Sequence, residues 1–197
     1  MKILIVGASG HVGSAALAAL QTRHDVIGVS RTTAPSVDLR DPRSIVRLFA
    51  EIGEVDAVVS AYGSAPFKAV TDLTPDDLVA AFEGKVMSQL NLLRIGLDHV
   101  SDGGSFTLTT GVLAREAVPM GSASAMANGA VESFVMSAAA ELPRGIRLNA
   151  VSPSVLATAP HYFDAFAGFE PVPAERVGRA FVRSVEGVGN GRVYALD

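Results

Sequence analysis

Lys2-Ile3-Leu4-Ile5-Val6 runs directly into Gly7-Ala8-Ser9-Gly10-His11-Val12-Gly13, and this stretch decides the fold. The unbroken aliphatic run reads as a strand buried on both faces. The glycines follow at G-x-x-G-x-x-G spacing, and an Ala- and Leu-rich pattern over Val12–Leu20 then reads as a helix. In such a strand–turn–helix, Gly7 permits the tight turn, Gly10 lets a pyrophosphate reach the backbone, and Gly13 lets the helix close on the sheet. Ser9, His11 and Val12 complete a loop that aims free N–H groups and the positive end of a helix dipole at a phosphate. The plainer alternative is a simple strand-to-helix turn. The motif's place, immediately after the first strand, favours the phosphate loop.

Working outward, a second strand over Asp25–Ser30 ends in Val29-Ser30-Arg31-Thr32-Thr33. An acid at this point would hold the ribose 2′-hydroxyl of NAD. Here a guanidinium and hydroxyls stand instead, a set suited to a 2′-phosphate. Ser30, Arg31 and Thr32 therefore predict NADP(H) rather than NAD(H), against the alternative of an ordinary exposed loop arginine. Asp38-Leu39 is placed at the adenine.

The rest of the chain alternates in the same way. Asp41-Pro42 and Thr74-Pro75 are helix starts, with a capping side chain before a proline. The first helix runs to about Ile52. The second is bent near Gly84 and carries Val86, Leu90, Leu93 and Leu97 on one face. Strands are predicted over Val55–Ser60, Ser105–Thr110, Ile146–Val151 and Arg192–Ala195, with Asp102-Gly103-Gly104 as a turn. Long helices are predicted over Ser122–Leu142 and about Ala174–Glu186, and 154–172 reads as irregular. Strands alternating with helices mean an α/β fold, a doubly wound parallel sheet with helices on both faces. Residues 1–197 read as a single dinucleotide-binding domain.

Composition narrows the chemistry. The chain of 197 residues has no cysteine, which removes disulfides, thiolate metal sites and cysteine nucleophiles. Its net charge of −4 builds no basic stripe, so nucleic acid is not an expected partner. The apolar start is too short for a targeting segment, and no run is long enough to span a bilayer. The four histidines lack metal-ligand spacing, so no metal is expected. A cytoplasmic protein is the default.

With Gly7–Gly13, Asp38-Leu39, Ser60-Ala61-Tyr62-Gly63 and above all Glu141-Leu142-Pro143-Arg144-Gly145-Ile146-Arg147-Leu148-Asn149-Ala150-Val151-Ser152-Pro153, the chain resembles the short-chain dehydrogenase/reductase family over nearly its whole length. The resemblance implies a three-layer Rossmann-like fold with about seven strands and a nicotinamide cofactor. It also implies oligomers built on the two long helices, and the apolar Val86–Leu97 face with the small-residue face of Ser122–Leu142 suggests a homodimer or homotetramer. Ser60, Ala61, Tyr62, Gly63, Asn128 and Pro153 join the cofactor-binding set on this ground.

The family's Tyr-x-x-x-Lys pair, its strand-end Ser and its helix Asn have no counterparts here. Registering on Ala130-Val131-Glu132 puts Ser124 at the Tyr position and Asn128 at the Lys position. Gly111, beside Thr110, takes the Ser position, and Lys85 takes the Asn position. Four residues are candidates for the vacant roles. A buried Lys85 would have a lowered pKa and could act as acid. Tyr62 is a phenol in the loop expected beside the nicotinamide, and Thr110 and Ser124 are hydroxyls for a substrate oxygen. The plainer readings are a solvated lysine, a packing tyrosine and two hydroxyls satisfying backbone. His161 sits in the segment expected over the site. Arg176, Arg179 and Arg183 read as a solvated face. The expected function is an NADP(H)-dependent oxidoreductase for a small carbonyl or alcohol, with a non-standard proton donor. The alternatives are a non-redox isomerase, dehydratase or cyclase that reuses the pocket, and an NADP(H)-sensing binding protein.

Overall fold

The computed structural model describes residues 1–197. Six strands form one sheet: β1 Lys2–Val6, β2 Asp25–Val29, β3 Val55–Ser60, β4 Val100–Thr109, β5 Arg147–Pro153 and β6 Val193–Leu196. Their order is β2-β1-β3-β4-β5-β6, and every pairing is parallel. The sheet has six strands, not about seven. In the doubly wound order a strand lies outboard of the second. Here β2 is itself the edge strand, and residues 31–41 add only an isolated parallel bridge, Ser30 to Ser36, before the next helix.

The helices are α1 His11–Leu20, α2 Pro42–Ile52, α3 Pro75–Ala81, α4 Ser88–Gly96, α5 Ser122–Ala138 and α6 Ala174–Glu186. The two Pro-start helices are capped as their sequences require. Asp41 accepts from the Arg43 N–H, and Thr74 with Asp77 closes a capping box. Alternation along β1 divides the core. Ile3 and Ile5 face α1 and α6, with Leu20, Val177 and Phe181. Leu4 and Val6 face α2, α4 and α5, with Ile45, Phe49, Leu92 and Val131.

Three further differences have local causes. Asp102-Gly103-Gly104 is an irregularity inside β4 rather than a turn before it; the β3–β4 register shifts there and Gly103 takes φ +74. The long Ser122 helix stops at Ala138, not Leu142. The Val86–Leu97 face expected at a subunit interface is used internally: Val86 and Leu93 belong to the core, and Leu90 and Leu97 pack against it. The apolar side chains left exposed are others, among them Leu78, Val79, Phe82, Met126 and Met136.

Helices α1 and α6 touch through Gly178, where a Cβ would stand 2.8 Å from the Ala15 carbonyl oxygen and 2.8 Å from the Ala19 Cβ. Gly178→Val is expected to lower unfolding stability by about 1–3 kcal/mol, the usual range for overpacking, read as a lower urea midpoint. An unchanged midpoint would show that the two helices can part at no cost.

Candidate functional site

The order β2-β1-β3 reverses the direction of winding between β1 and β3, and a crevice opens outside the carboxyl ends of the strands there. Gly7, at φ +84, turns the chain out of β1. A Cβ on Gly7 would stand 2.5 Å from the Ala61 carbonyl oxygen, and one on Gly13 would stand 2.0 Å from the Gly7 carbonyl oxygen. Both positions exclude any side chain. Gly10 differs: its nearest neighbour would be 3.5 Å away, so its outer side is open. Gly10 caps α1 with no side-chain bond, and the first turn of α1 holds no acid. The N–H groups of that turn are thus left for an anion.

Next to this cradle lies a cavity of about 480 Å³. Gly10, His11 and Val12 form one wall, and Ala61, Gly63, Ser64 and Phe67 the next. Thr110, Gly111, Ser124 and Asn128 form a third, and Pro153, Ser154, Tyr162 and Phe166 close over it. A larger open groove of about 1030 Å³ runs between α6 and β6, lined by Arg176, Arg179, Arg183 and Arg192. It lies away from the strand ends that carry the glycine loop, and its arginines are solvent-exposed.

Lys85 reaches into the smaller cavity from a π-helical turn, Phe82–Met87, that joins α3 to α4. This is the bend expected near Gly84. Gly84 lets the loop after β3 come close, since a Cβ there would stand 2.6 Å from the Ser64 carbonyl oxygen. Insertions of this kind are frequent at functional sites. Fully buried Gln89 straps the turn to the sheet: its Nε2 donates to the Lys85 and Thr109 carbonyls at 3.2 and 2.9 Å, and its Oε1 accepts from the Thr109 N–H at 2.9 Å. Lys85 is partly exposed, and its side chain lies against Gly63, where a Cβ would stand 3.0 Å from Lys85 Cδ and 3.2 Å from its Nζ. Loss of solvation pulls its pKa down to about 8, with Glu132 acting in the opposite sense.

Other candidates are placed as follows. Ser124 and Asn128 lie one turn apart on α5 and both face the cavity. Thr110 also faces it, but its hydroxyl donates to Glu132 at 2.8 Å. Tyr62 does not line the cavity; it packs against the core on the α2 side, between Ala61 and Gly63, which do line it. Beyond β2, Arg31 is exposed and forms no ion pair, while the Ser30 and Thr32 hydroxyls are 3.2 Å apart. Asp38 accepts from the Arg40 N–H, and Leu39 is in the core. His161 and His11 approach with ring centroids 6.2 Å apart, across the mouth.

The residues present fit a dinucleotide. Asn128 Oδ1 and Ser154 Oγ are buried without a hydrogen-bond partner, and both residues line the cavity beside the glycine cradle. Buried polar atoms are rarely left so, and a polar ligand would satisfy them. Ser154 was not among the residues singled out from sequence, although it directly follows Pro153. Glu132 and Gln89 were also missed; the one signal was their spacing, four residues on from Asn128 and Lys85.

Comparison with known proteins agrees with this geometry. The family model described as enoyl-(acyl carrier protein) reductase matches residues 10–189. Versicolorin reductase stcU of Emericella nidulans is 28% identical over 181 residues, covering 79% of this chain and 69% of that protein. Hydroxynaphthalene reductase arp2 of Aspergillus fumigatus is 31% identical over 113 residues, 57% of this chain but only 40% of the relative's length. Among solved structures, protein lin1944 of Listeria innocua is 45% identical with a TM-score of 0.98, each chain covered completely. A small-chain dehydrogenase is 26% identical with a TM-score of 0.86, covering 100% of this chain and 96% of its own. The glycine cradle, the winding of the sheet and the long matched span all point the same way, and the chain belongs to the short-chain dehydrogenase/reductase family of oxidoreductases.

Proposed function

We propose that this chain is an NADP(H)-dependent oxidoreductase acting on a small carbonyl or alcohol, with Lys85 as its proton donor. The observation that carries this reading is the Lys85 ammonium, desolvated in the same cavity as the unpartnered Asn128 and Ser154 and next to the Gly7–Gly13 loop. A reduced nicotinamide, when bound, supplies the hydride. The chain's part is to place the substrate and deliver a proton. A lysine with a pKa near 8 is mostly protonated at neutral pH and gives up its proton far more readily than an ordinary lysine. After donation the neutral amine is tolerated in its desolvated setting and regains a proton from water at the mouth. Ser124, on the same wall, is placed to hydrogen-bond the substrate oxygen. Tyr62, turned into the core, is assigned no proton transfer.

Gly7, Ser9, Gly10, His11, Val12 and Gly13 would hold the pyrophosphate. Ser30, Arg31 and Thr32 would hold the 2′-phosphate, with Asp38 and Leu39 at the adenine. Ser60 to Gly63, Asn128 and Pro153 would flank the ribose and nicotinamide. The exposed apolar residues of α3, the π-helical turn and α5 support a homo-oligomer, and the setting we propose is cytoplasmic. No helix is long and apolar enough to cross a membrane.

The test is NADPH oxidation by the purified protein over a panel of small aldehydes and ketones, followed by nicotinamide absorbance. Turnover is expected. Product formed with no change in absorbance would favour a non-redox enzyme, and ligand binding with no chemistry would favour a sensor. Arg31→Ala is expected to weaken NADPH binding roughly 10- to 100-fold, the loss of a charge-assisted hydrogen bond, and to leave NADH affinity unchanged. Equal weakening for both cofactors would remove Arg31 from the 2′-phosphate.

A further inference from the structure

Glu132 lies one turn beyond Asn128 on α5, outside the cavity wall, yet three donors converge on a single oxygen of its carboxylate. Its Oε1 accepts from Thr110 Oγ1 at 2.8 Å, Arg115 Nη1 at 2.8 Å and Ser152 Oγ at 2.9 Å. Arg115 is held in turn by Ser152 Oγ at 3.2 Å and Asp197 Oδ1 at 3.1 Å. The carboxylate thus ties together the carboxyl ends of β4 and β5, α5 and the residue after β6, directly behind Thr110. No carboxylate forms an ion pair with Lys85 across the cavity.

An ionised carboxylate accepts and never donates, and a threonine hydroxyl has one proton to give. Glu132 is paired with the Arg115 guanidinium and accepts from Thr110, so the Thr110 proton is committed to Glu132 and the lone pairs of Thr110 are what remain for the cavity. We infer that Glu132 is a positioning residue: acting through Thr110 and through its charge, it makes Thr110 an acceptor for proton-bearing groups and sets a negative charge behind this wall of the Lys85 cavity. Thr110 then accepts from a hydroxyl or an ammonium and cannot hydrogen-bond a carbonyl oxygen. A carbonyl oxygen is left to Lys85 and Ser124, and the alcohol formed from it gains the proton that Thr110 can accept. The inference deepens the Lys85 reading and rests on it for its catalytic meaning, but not for its test.

The chain has three lysines, Lys2, Lys68 and Lys85, so reductive methylation with carbon-13 formaldehyde gives few lysine signals. Lys85→Arg assigns the one of interest, and its chemical shift against pH gives its titration midpoint without substrate or cofactor. The other charged or titratable groups near Lys85 are His11 and Tyr162 in the cavity lining, Arg40 beside Gly84, and Glu83 on its own turn. All of these are retained in the variants. Glu132→Gln is expected to lower the Lys85 midpoint by roughly half a pH unit or more, and Glu132→Asp, which keeps the charge, to leave it near wild type. Arg115→Gln removes a positive charge and should move it the opposite way, which keeps the test open if Glu132→Gln does not fold. A purely structural Glu132 would give no such reversal of sign. A Lys85 midpoint unmoved in the folded Glu132→Gln and Arg115→Gln proteins would overturn the inference, whether or not NADPH turnover is found.

Discussion

Lys85→Met is expected to lower turnover by about 10²- to 10⁴-fold, the usual contribution of a positioned acid, while NADPH affinity is unchanged. The separation follows from geometry. The glycine loop, Arg31 and Asn128 are untouched by the substitution, and methionine fills much of the lysine stem's volume against Gly63. The same variant is expected to be more stable than wild type at pH 7. Burial holds Lys85 at about 8 in the folded chain against an ordinary 10.5 when unfolded. Between those values the unfolded chain binds more protons, so folding stability rises with pH through that window. Below it the desolvation cost is present, on the order of 3 kcal/mol at most and reduced by the partial exposure of Lys85. The wild-type urea midpoint should therefore rise from pH 8 towards 10.5 relative to Lys85→Met, and at pH 7 the variant should have the higher midpoint. Loss of turnover together with gain of stability would identify a charge retained for chemistry. A variant as active as wild type would remove Lys85 from the mechanism.

Gly13→Val is expected to abolish measurable binding of either cofactor and to cost several kcal/mol of stability, beyond the roughly 1–3 kcal/mol of ordinary overpacking. A Cβ at this position would stand 2.0 Å from the Gly7 carbonyl oxygen and 2.7 Å from its carbon, both backbone atoms. Backbone cannot rotate aside as a side chain can, so α1 must move off the sheet. Its first turn then no longer aims its N–H groups at the phosphate position. Gly10→Ala offers the contrast: with 3.5 Å of clearance it should fold normally and lose affinity only through what it places before the phosphates. Isothermal titration with NADPH and urea unfolding measure both. Normal stability in Gly13→Val would mean that α1 does not sit against the loop as described.

The glycine loop was legible because its physics is local: a strand, a turn that needs φ +84 at Gly7 and a helix that must close on it all lie within adjacent residues. The capped starts at Asp41 and Thr74 were legible for the same reason. Strand order was legible as a class but not in number, since nothing in residues 31–41 states that β2 is left at an edge. The site was legible as far as backbone position carries it. Ser124 and Asn128, one turn apart, had to share a face. Tyr62 lies in the right loop, but its direction depends on alternation between Ala61 and Gly63, and it turned into the core. Glu132 and Gln89 escaped notice because the partners that place them lie far along the chain: Thr110, Arg115 and Ser152 for one, Thr109 for the other. Hydrogen bonds between distant segments leave no period in a sequence.

The central claim is that Lys85 supplies the proton. The most direct measurement is the pH dependence of kcat for NADPH-driven reduction, in wild type and Lys85→Met. As the acid, Lys85 must be protonated, so the wild-type rate should be level at low pH and fall as pH rises through about 8. The reverse oxidation, which needs the neutral amine, should rise through the same value. Residual activity in Lys85→Met should show neither limb. The same falling limb in Lys85→Met, or no NADPH consumption by wild type at any pH, would contradict the account.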